Sequence, residues 1–400
     1  MDTHATTTDV PALARLQRWG LVAGFWGLLA GVIGAFLNVD QFLRSWLIGF
    51  LFCMGLSMGS LALLMMQHMT GGQWGLVSRR VCEAATRNLP FVALMFLPIL
   101  LGLPRLYKWA VPGAAATDHI IQMKAPYLNV PFFISRAILF FGLWVLASWL
   151  LNMWSAGQDR GDVAVHPSDT KRFRTVSAPG LLIYVVTMTF ASVDWIMSLD
   201  PHWYSTIFGF ILVAGQGLAA LALVIVVLAA LRGAEPLATY LNPGLHFLDL
   251  GKLLLAFVML WTYFSFSQLL IIWSGNLPEE IPFYYIRFRG GWQWVSLIIL
   301  LGHFTLPFAL LLSRDLKRRP RLLAQVAIGI LVMRVLDLIW IVEPMFEHEG
   351  FPIQMVWMDV ALPLGLTGVW MFLFARHLRS CVLLPLNDPF FKEAFAHDAH

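Results

Sequence analysis

Ten uninterrupted apolar runs, each about the length of a membrane span, leave this 400-residue chain little freedom in what it can fold into. They fall near 19–37, 46–67, 88–107, 130–154, 179–197, 205–231, 250–273, 291–313, 322–343 and 355–376. A helix needs roughly 20 apolar residues to cross the hydrocarbon core of a bilayer. The runs are continuous rather than alternating, so a transmembrane β-barrel is excluded and helices that close their own backbone bonds remain. Composition agrees, with 59% of residues hydrophobic, 12% charged and a mean hydropathy of +0.72. Soluble chains carry about 25% charged residues, so lipid is the solvent here. The expected fold class is therefore all-α: a polytopic transmembrane protein of about ten spans. The expected division is a tail over 1–18, a ten-span domain over 19–376 and a second tail over 377–400. The first 15 or so residues, rich in Thr and acids, read as a short disordered tail. Pro90, Pro98 and Pro104 punctuate the third run. The first run is too long for a signal-peptide core, and no small-residue cleavage site follows Phe36 and Leu37.

Lys and Arg set the orientation. Eighteen of the 27 fall on the side that holds the N-terminus and six on the opposite side, with Arg136, Lys252 and Arg334 inside or at the edges of spans. Basic loops stay in the cytoplasm, so both termini are expected there. The opposite loops carry the acids Asp200, Glu279, Glu280, Glu347 and Glu349. A net charge of +4, dispersed along the chain, excludes a nucleic-acid-binding role. Cys53, Cys82 and Cys381 are scattered and too few for an iron–sulfur cluster or a structural zinc, each of which usually needs four ligands.

Ionisable groups inside a membrane are expensive and mark function by default. Arg136, Asp194, His303, Asp359 and the pair Arg334/Asp337 are such groups. Arg334 lies about 18 Å into its span from Leu322, at mid-bilayer, and Asp337 shares its helix face three residues on. Two readings stand open for the pair: a neutralised lock on packing, or proton and ligand handling. His303 and Asp359 each precede a proline by four residues, Pro307 and Pro363. A proline removes the bond to the carbonyl four residues back, so two hydrated kinks beside ionisable side chains are expected. The polar turn Ser198–Asp200–Pro201–His202–Trp203–Tyr204 caps the outer end of the Asp194 span. Lys252, His68 and Glu83 sit near the inner interface, where Lys252 is expected to snorkel. Only His303 lies deep in a span, so no matched histidine pair exists for a b-type haem. No metal site and no catalytic residue is assigned.

Several stretches together resemble one family. The segment Ser192-Val-Asp-Trp-Ile-Met-Ser-Leu-Asp-Pro-His-Trp-Tyr-Ser-Thr-Ile-Phe-Gly209 resembles the signature of a ten-span membrane subunit of alternative complex III, the type called quinone-binding subunit 2. That complex is a bacterial quinol:electron-acceptor oxidoreductase, and this type of subunit is related to the NrfD and polysulfide-reductase membrane proteins. Trp74 through Arg79-Arg80 to Glu83, Lys124–Arg136 (KAPYLNVPFFISR), Gly275–Trp292 (GNLPEEIPFYYIRFRGGW) and the Arg334…Asp337…Trp340 run are similar to other parts of the same family. The likeness covers nearly the whole chain.

The resemblance implies two four-helix bundles, spans two to five and six to nine, with two peripheral helices, in a bacterial cytoplasmic membrane. It implies partners: a paralogous ten-span membrane subunit, a periplasmic iron–sulfur subunit, and multihaem and monohaem cytochrome c subunits. Haem c and iron–sulfur clusters would then sit in those partners, and quinol oxidation would send electrons outward. The family's better-supported quinol site belongs to the paralogue, and whether quinone or quinol binds this chain stays open. Members of this type are associated with proton movement, which carries onto Asp194, Asp200, His202, His303, Arg334, Asp337, Lys252 and Glu83; the residues add Asp359 as a proton-transfer candidate. Asp194 and His202 would accept protons near the outer face. A carboxylate paired with a guanidinium, as Asp337 is, takes no proton until the pair opens. Two other classes remain: a proton-coupled secondary transporter and a purely structural membrane anchor.

Overall fold

The computed structural model describes residues 10–160, 170–346 and 356–396, and these form helices and turns with no strand among them. Glu347 and Glu349 lie outside the described residues. Among the described residues ten helices are long and apolar enough to cross a membrane: spans 1 (Pro11–Leu37), 2 (Val39–Thr70), 3 (Gln73–Leu101), 4 (Val130–Arg160), 5 (Lys171–Leu199), 6 (Phe208–Leu231), 7 (Pro243–Gly275), 8 (Trp292–Leu312), 9 (Pro320–Met345) and 10 (Val356–Arg379). The protein is an all-α, multi-pass helical bundle. Alternation places the starts of spans 1, 3, 5, 7 and 9 at one end, called the basic end, and their finishes at the far end.

Several boundaries differ from expectation; spans 2, 5 and 7 start at Val39, Lys171 and Pro243 rather than 46, 179 and 250, and three further differences follow. Span 1 starts at Pro11 rather than 19, because a proline at the first helical turn is pre-organised for the helix and forfeits no bond; the described part of the expected N-terminal tail is thus largely helical. Span 3 begins at Gln73 rather than 88. Its first segment, Gln73–Thr86, carries Arg79, Arg80 and Glu83, which lower its hydropathy and make it read as a loop. Beyond it the prolines break the path into Leu89–Met95, Leu97–Leu101 and Leu103–Leu106, with a proline in the first turn of each. The third difference is the C-terminal tail. Phe391–Ala396 is helical, and the tail folds back on the start of span 3, where Gln73 donates to the Ala394 carbonyl.

Spans 2 and 6 are almost wholly buried and pack against each other. Spans 3 and 5 lean on span 2 and span 4 packs against both; spans 7 and 9 lean on span 6, and span 8 closes against both. That packing is two four-helix groups sharing a seam. Spans 1 and 10 pair along the outside, span 10 touching span 2. Their pairing rests on close backbone approach: a Cβ on Gly27 would lie 2.4 Å from the Gly365 Cα. Small residues at such a seam supply dispersion contacts where no hydrophobic effect acts between helices in lipid.

Candidate functional site

The polar residues singled out in the sequence form four clusters. At the far end of the first group, Asp194 is fully buried and takes two bonds from Arg136, Nε at 2.7 Å and Nη2 at 2.9 Å. Two bonds in the fork geometry of a guanidinium are a strong, oriented pair. Arg136 also donates to the Tyr127 carbonyl at 3.0 Å and lies over the Tyr127 and Phe132 rings at 3.9 and 4.2 Å. The neighbouring Trp195 is the centre of an aromatic core, stacked on Phe141 at 5.4 Å and tilted on Phe96 at 4.8 Å. Asp194 is thus locked in a pair and stands apart from the solvated residues of the turn.

That turn is the second cluster. His202 Nε2 is 2.8 Å from Asp118 and its Nδ1 is 3.4 Å from Asp200, while Lys124 donates to the Pro201 carbonyl at 2.5 Å. Asp118 caps the helix His119–Lys124 through its side chain. The amide bonds from Ile121 and Ile120, with His202 beside them, hold its carboxyl below the usual aspartate value. Partial burial pulls the Lys124 amine below its usual value. Asp118 was not selected from sequence; its only signal was the cap pattern of an acid before a short helix.

The third cluster lies in the middle of the second group. Arg334 and Asp337 form the expected ion pair, fully enclosed. Span 6 makes room for it: a Cβ on Gly215 would lie 2.5 Å from the Arg334 Cζ. His303 is wholly buried, its ring centroid 4.1 Å from Trp261, and neither ring nitrogen has a hydrogen-bond partner among the described residues. The helix around it is a π-turn over Leu300–Thr305, where Thr305 Oγ1 donates to the Leu300 carbonyl at 3.0 Å. The helix just before Pro307 is thus widened to a π-turn. Span 10, by contrast, runs on as one helix through Pro363.

The fourth cluster holds Asp359 at the far end. Ser45 Oγ donates to it at 2.5 Å and Gln41 Nε2 at 3.0 Å, and the same Gln41 nitrogen reaches Glu343 at 3.2 Å. Arg44 stands 3.8 Å from Glu343. Glu343, completely buried, was missed because it ends its hydrophobic run and reads as an interfacial acid.

Two residues go elsewhere. Glu83 sits at the basic end, bonded by Arg79 at 2.9 Å, Arg80 at 2.8 Å and Ser155 at 2.6 Å. Arg79 continues to Asp388 at 2.7 Å, which pins the C-terminal tail. Arg79 and Arg80, which read as loop charges, are buried helix residues with matched partners. Lys252 pairs with Asp249 at 2.8 Å on an exposed surface, consistent with snorkelling and worth little in stability. Arg287, which also reads as a loop charge, is fully buried, donates to the Phe283, Trp340 and Ile341 carbonyls and lies 3.6 Å over the Phe283 ring.

Among the described residues no group of three or more His, Cys, Asp or Glu is placed to hold a metal ion. Neither a protein-family model nor a curated protein matches the chain.

Proposed function

We propose that this chain is an integral membrane subunit of a quinol:electron-acceptor oxidoreductase of the alternative complex III kind, in the bacterial cytoplasmic membrane with both termini cytoplasmic. One observation carries the reading: stretches that resemble the family separately in sequence close on one another at the far end. Asp194 of the signature meets Arg136 of the Lys124–Arg136 stretch, and Lys124 of that stretch meets Pro201 of the signature. Trp203 of the signature stacks at 4.2 Å on Phe283, from the Gly275–Trp292 stretch, whose Arg287 holds the Trp340 carbonyl at 2.9 Å. On this reading the periplasmic iron–sulfur and cytochrome c subunits would dock at that end of the bundle. Electron carriers belong to those partners. This chain supplies buried carboxylates and histidines along the bundle, which support proton movement coupled to quinol oxidation.

The mid-membrane Arg334/Asp337 pair beside a π-turn also suits a proton-coupled transporter. Mild-detergent purification of a tagged chain, with a haem stain and identification of co-purifying proteins, separates the two. The subunit reading expects haem c and iron–sulfur proteins with the chain and no transport by the chain alone. Isolation without partners, together with proton-coupled flux in liposomes, would establish the transporter. Within the complex, Asp337→Asn should lower proton translocation or quinol oxidation; wild-type rates of both remove the pair from function.

A further inference from the structure

The densest charge in the chain lies at the basic end, in the connection between spans 8 and 9. Residues 314–321 read Arg-Asp-Leu-Lys-Arg-Arg-Pro-Arg. Five cations against one acid leave +4 there, as much as the net charge of the whole chain. The connection is held short from both sides. The Ser313 hydroxyl accepts from the Leu316 amide at 3.3 Å, and Pro320 opens the first turn of span 9. Arg314, Arg318, Arg319 and Arg321 are exposed, and none has an ion pair among the described residues. The buried arginines Arg79, Arg80, Arg136 and Arg334 are matched by carboxylates inside the fold; these four are left to water or to a ligand.

Lys317 narrows the choice. It is only 7% exposed, its stem pressed on span 7, where a Cβ on Gly251 would lie 2.7 Å from the Lys317 Cγ. Its ammonium has no hydrogen-bond partner among the described residues and is not sealed from the surface. Burial and the neighbouring Lys252 charge pull that amine below its usual value. Asp249, the acid at hand, is already engaged by Lys252 at 2.8 Å. Like charges held together are costly until an anion joins them.

Beyond the connection, span 9 presents one outward stripe. Arg321, Gln325, Ile328 and Val332 follow one another at helical spacing and are all exposed. Gly329 lies beside them, and a Cβ there would meet nothing within 4 Å. Gln325 has no hydrogen-bond partner among the described residues. It stands about 7 Å into its helix, at the depth where polar headgroups give way to acyl chains. Hydrocarbon offers an amide no partner, whereas the glycerol esters found at that depth accept hydrogen bonds. Cations, then an amide, then an apolar strip with an open notch match a phospholipid read from phosphate to ester to chain.

We infer that this connection and the outward stripe of span 9 bind an anionic phospholipid, its phosphate on the loop cations, its ester on Gln325 and an acyl chain along Ile328, Gly329 and Val332. Basic clusters beside a span attract anionic headgroups, and five cations suit a lipid with two phosphates, such as cardiolipin, better than one with a single phosphate. The leaflet follows from the orientation proposed above; the binding itself requires neither that orientation nor partner subunits.

The test is native mass spectrometry of the full-length chain, with whatever co-purifies, titrated with cardiolipin, phosphatidylglycerol, phosphatidylcholine or inorganic phosphate. Cardiolipin should bind at least tenfold more tightly than phosphatidylcholine, with phosphatidylglycerol between them. Arg318→Gln/Arg319→Gln/Arg321→Gln should weaken cardiolipin about a hundredfold, roughly fivefold for each cation. Lys171→Gln/Arg172→Gln, which removes two exposed cations at the start of span 5, should leave binding within about twofold. Gln325→Leu should weaken the lipids about fivefold, the value of one hydrogen bond, and leave phosphate binding unchanged. Equal binding of phosphatidylcholine and cardiolipin overturns the site, as does an arginine variant no weaker than the span 5 variant. Phosphate binding as tight as lipid binding, with Gln325→Leu inert, reduces the site to one for a free ion and overturns the lipid assignment. A benzophenone side chain placed at Ile328 should photolabel lipid; capture of a polypeptide instead gives this face to a protein and overturns the proposal.

Discussion

A guanidinium and a carboxylate buried together cost little as a pair and much when either is left alone. Arg136 and Asp194 make the point from opposite ends of a 58-residue separation. Each was legible singly as a charge inside a span, but nothing in the sequence says they are partners. Arg136→Leu should destabilise the protein by about 3–5 kcal/mol, read as a fall in thermal unfolding temperature in detergent. The double variant Arg136→Leu/Asp194→Leu should recover most of that loss, and failure to recover would mean that the pair is not the unit. The Glu343, Asp118 and Arg287 roles were not legible, because each acid or base looks like an ordinary interfacial charge until the fold encloses or caps with it. Asp118 also carries a pH signature. Its folded value lies below the ordinary 3.8, so its stabilisation is present above that value and is lost as pH falls through the lower folded one. Exchange protection of the Ile120 and Ile121 amides, which donate to it at 2.9 and 3.2 Å, should hold at neutral pH and fade below about pH 4. Asp118→Ala should abolish that protection at every pH.

At the scale of elements, hydrophobic length located all ten spans because a bilayer enforces it. What it misplaced has a common cause. The first segment of span 3 is a helix whose two arginines pair with its own Glu83 and with Asp159 and Asp388, and Arg79 also donates to Ser155 and Gln158. Local hydropathy counts those charges and cannot count their distant partners. The pairing of spans 1 and 10 was equally silent, although it depends on glycines plain in the sequence. A Cβ on Gly365 would stand 2.7 Å from the Gly27 carbonyl carbon and 2.8 Å from the Leu28 nitrogen, both backbone atoms that cannot step aside. Gly365→Ala should therefore cost about 1–3 kcal/mol, as overpacking does. Cysteines placed on the facing surfaces of spans 1 and 10 should cross-link in the parent chain and lose that cross-linking in the variant. Undiminished cross-linking would show that the helices tolerate a wider spacing.

The whole molecule turns on the seam between spans 2 and 6, the two helices with almost no lipid-facing surface. Their burial could be read from neither hydropathy nor charge, since a span facing lipid and a span facing protein are both apolar. The division into two four-helix groups came from resemblance, and the packing gives it a physical basis: each group has one almost wholly enclosed helix, and those two helices face each other. Gly59 on span 2 sits at the closest point, where a Cβ would fall 2.1 Å from the Gln216 carbonyl oxygen of span 6 and 2.9 Å from the Ala220 Cβ. Gln216 is not free to move away, because Tyr184 of span 5 donates to its side-chain oxygen at 2.7 Å. The contact thus ties three spans from both groups. Gly59→Val forces the groups apart while leaving each group's interior contacts in place. A protein held as one cooperative unit unfolds in one step, and weakening the seam uncouples its halves. Calorimetry in detergent should show a single transition for the parent chain and two for Gly59→Val, the earlier one moved down by several degrees. One transition in the variant, shifted or not, would mean that the loops and spans 1 and 10 carry the coupling and the seam does not.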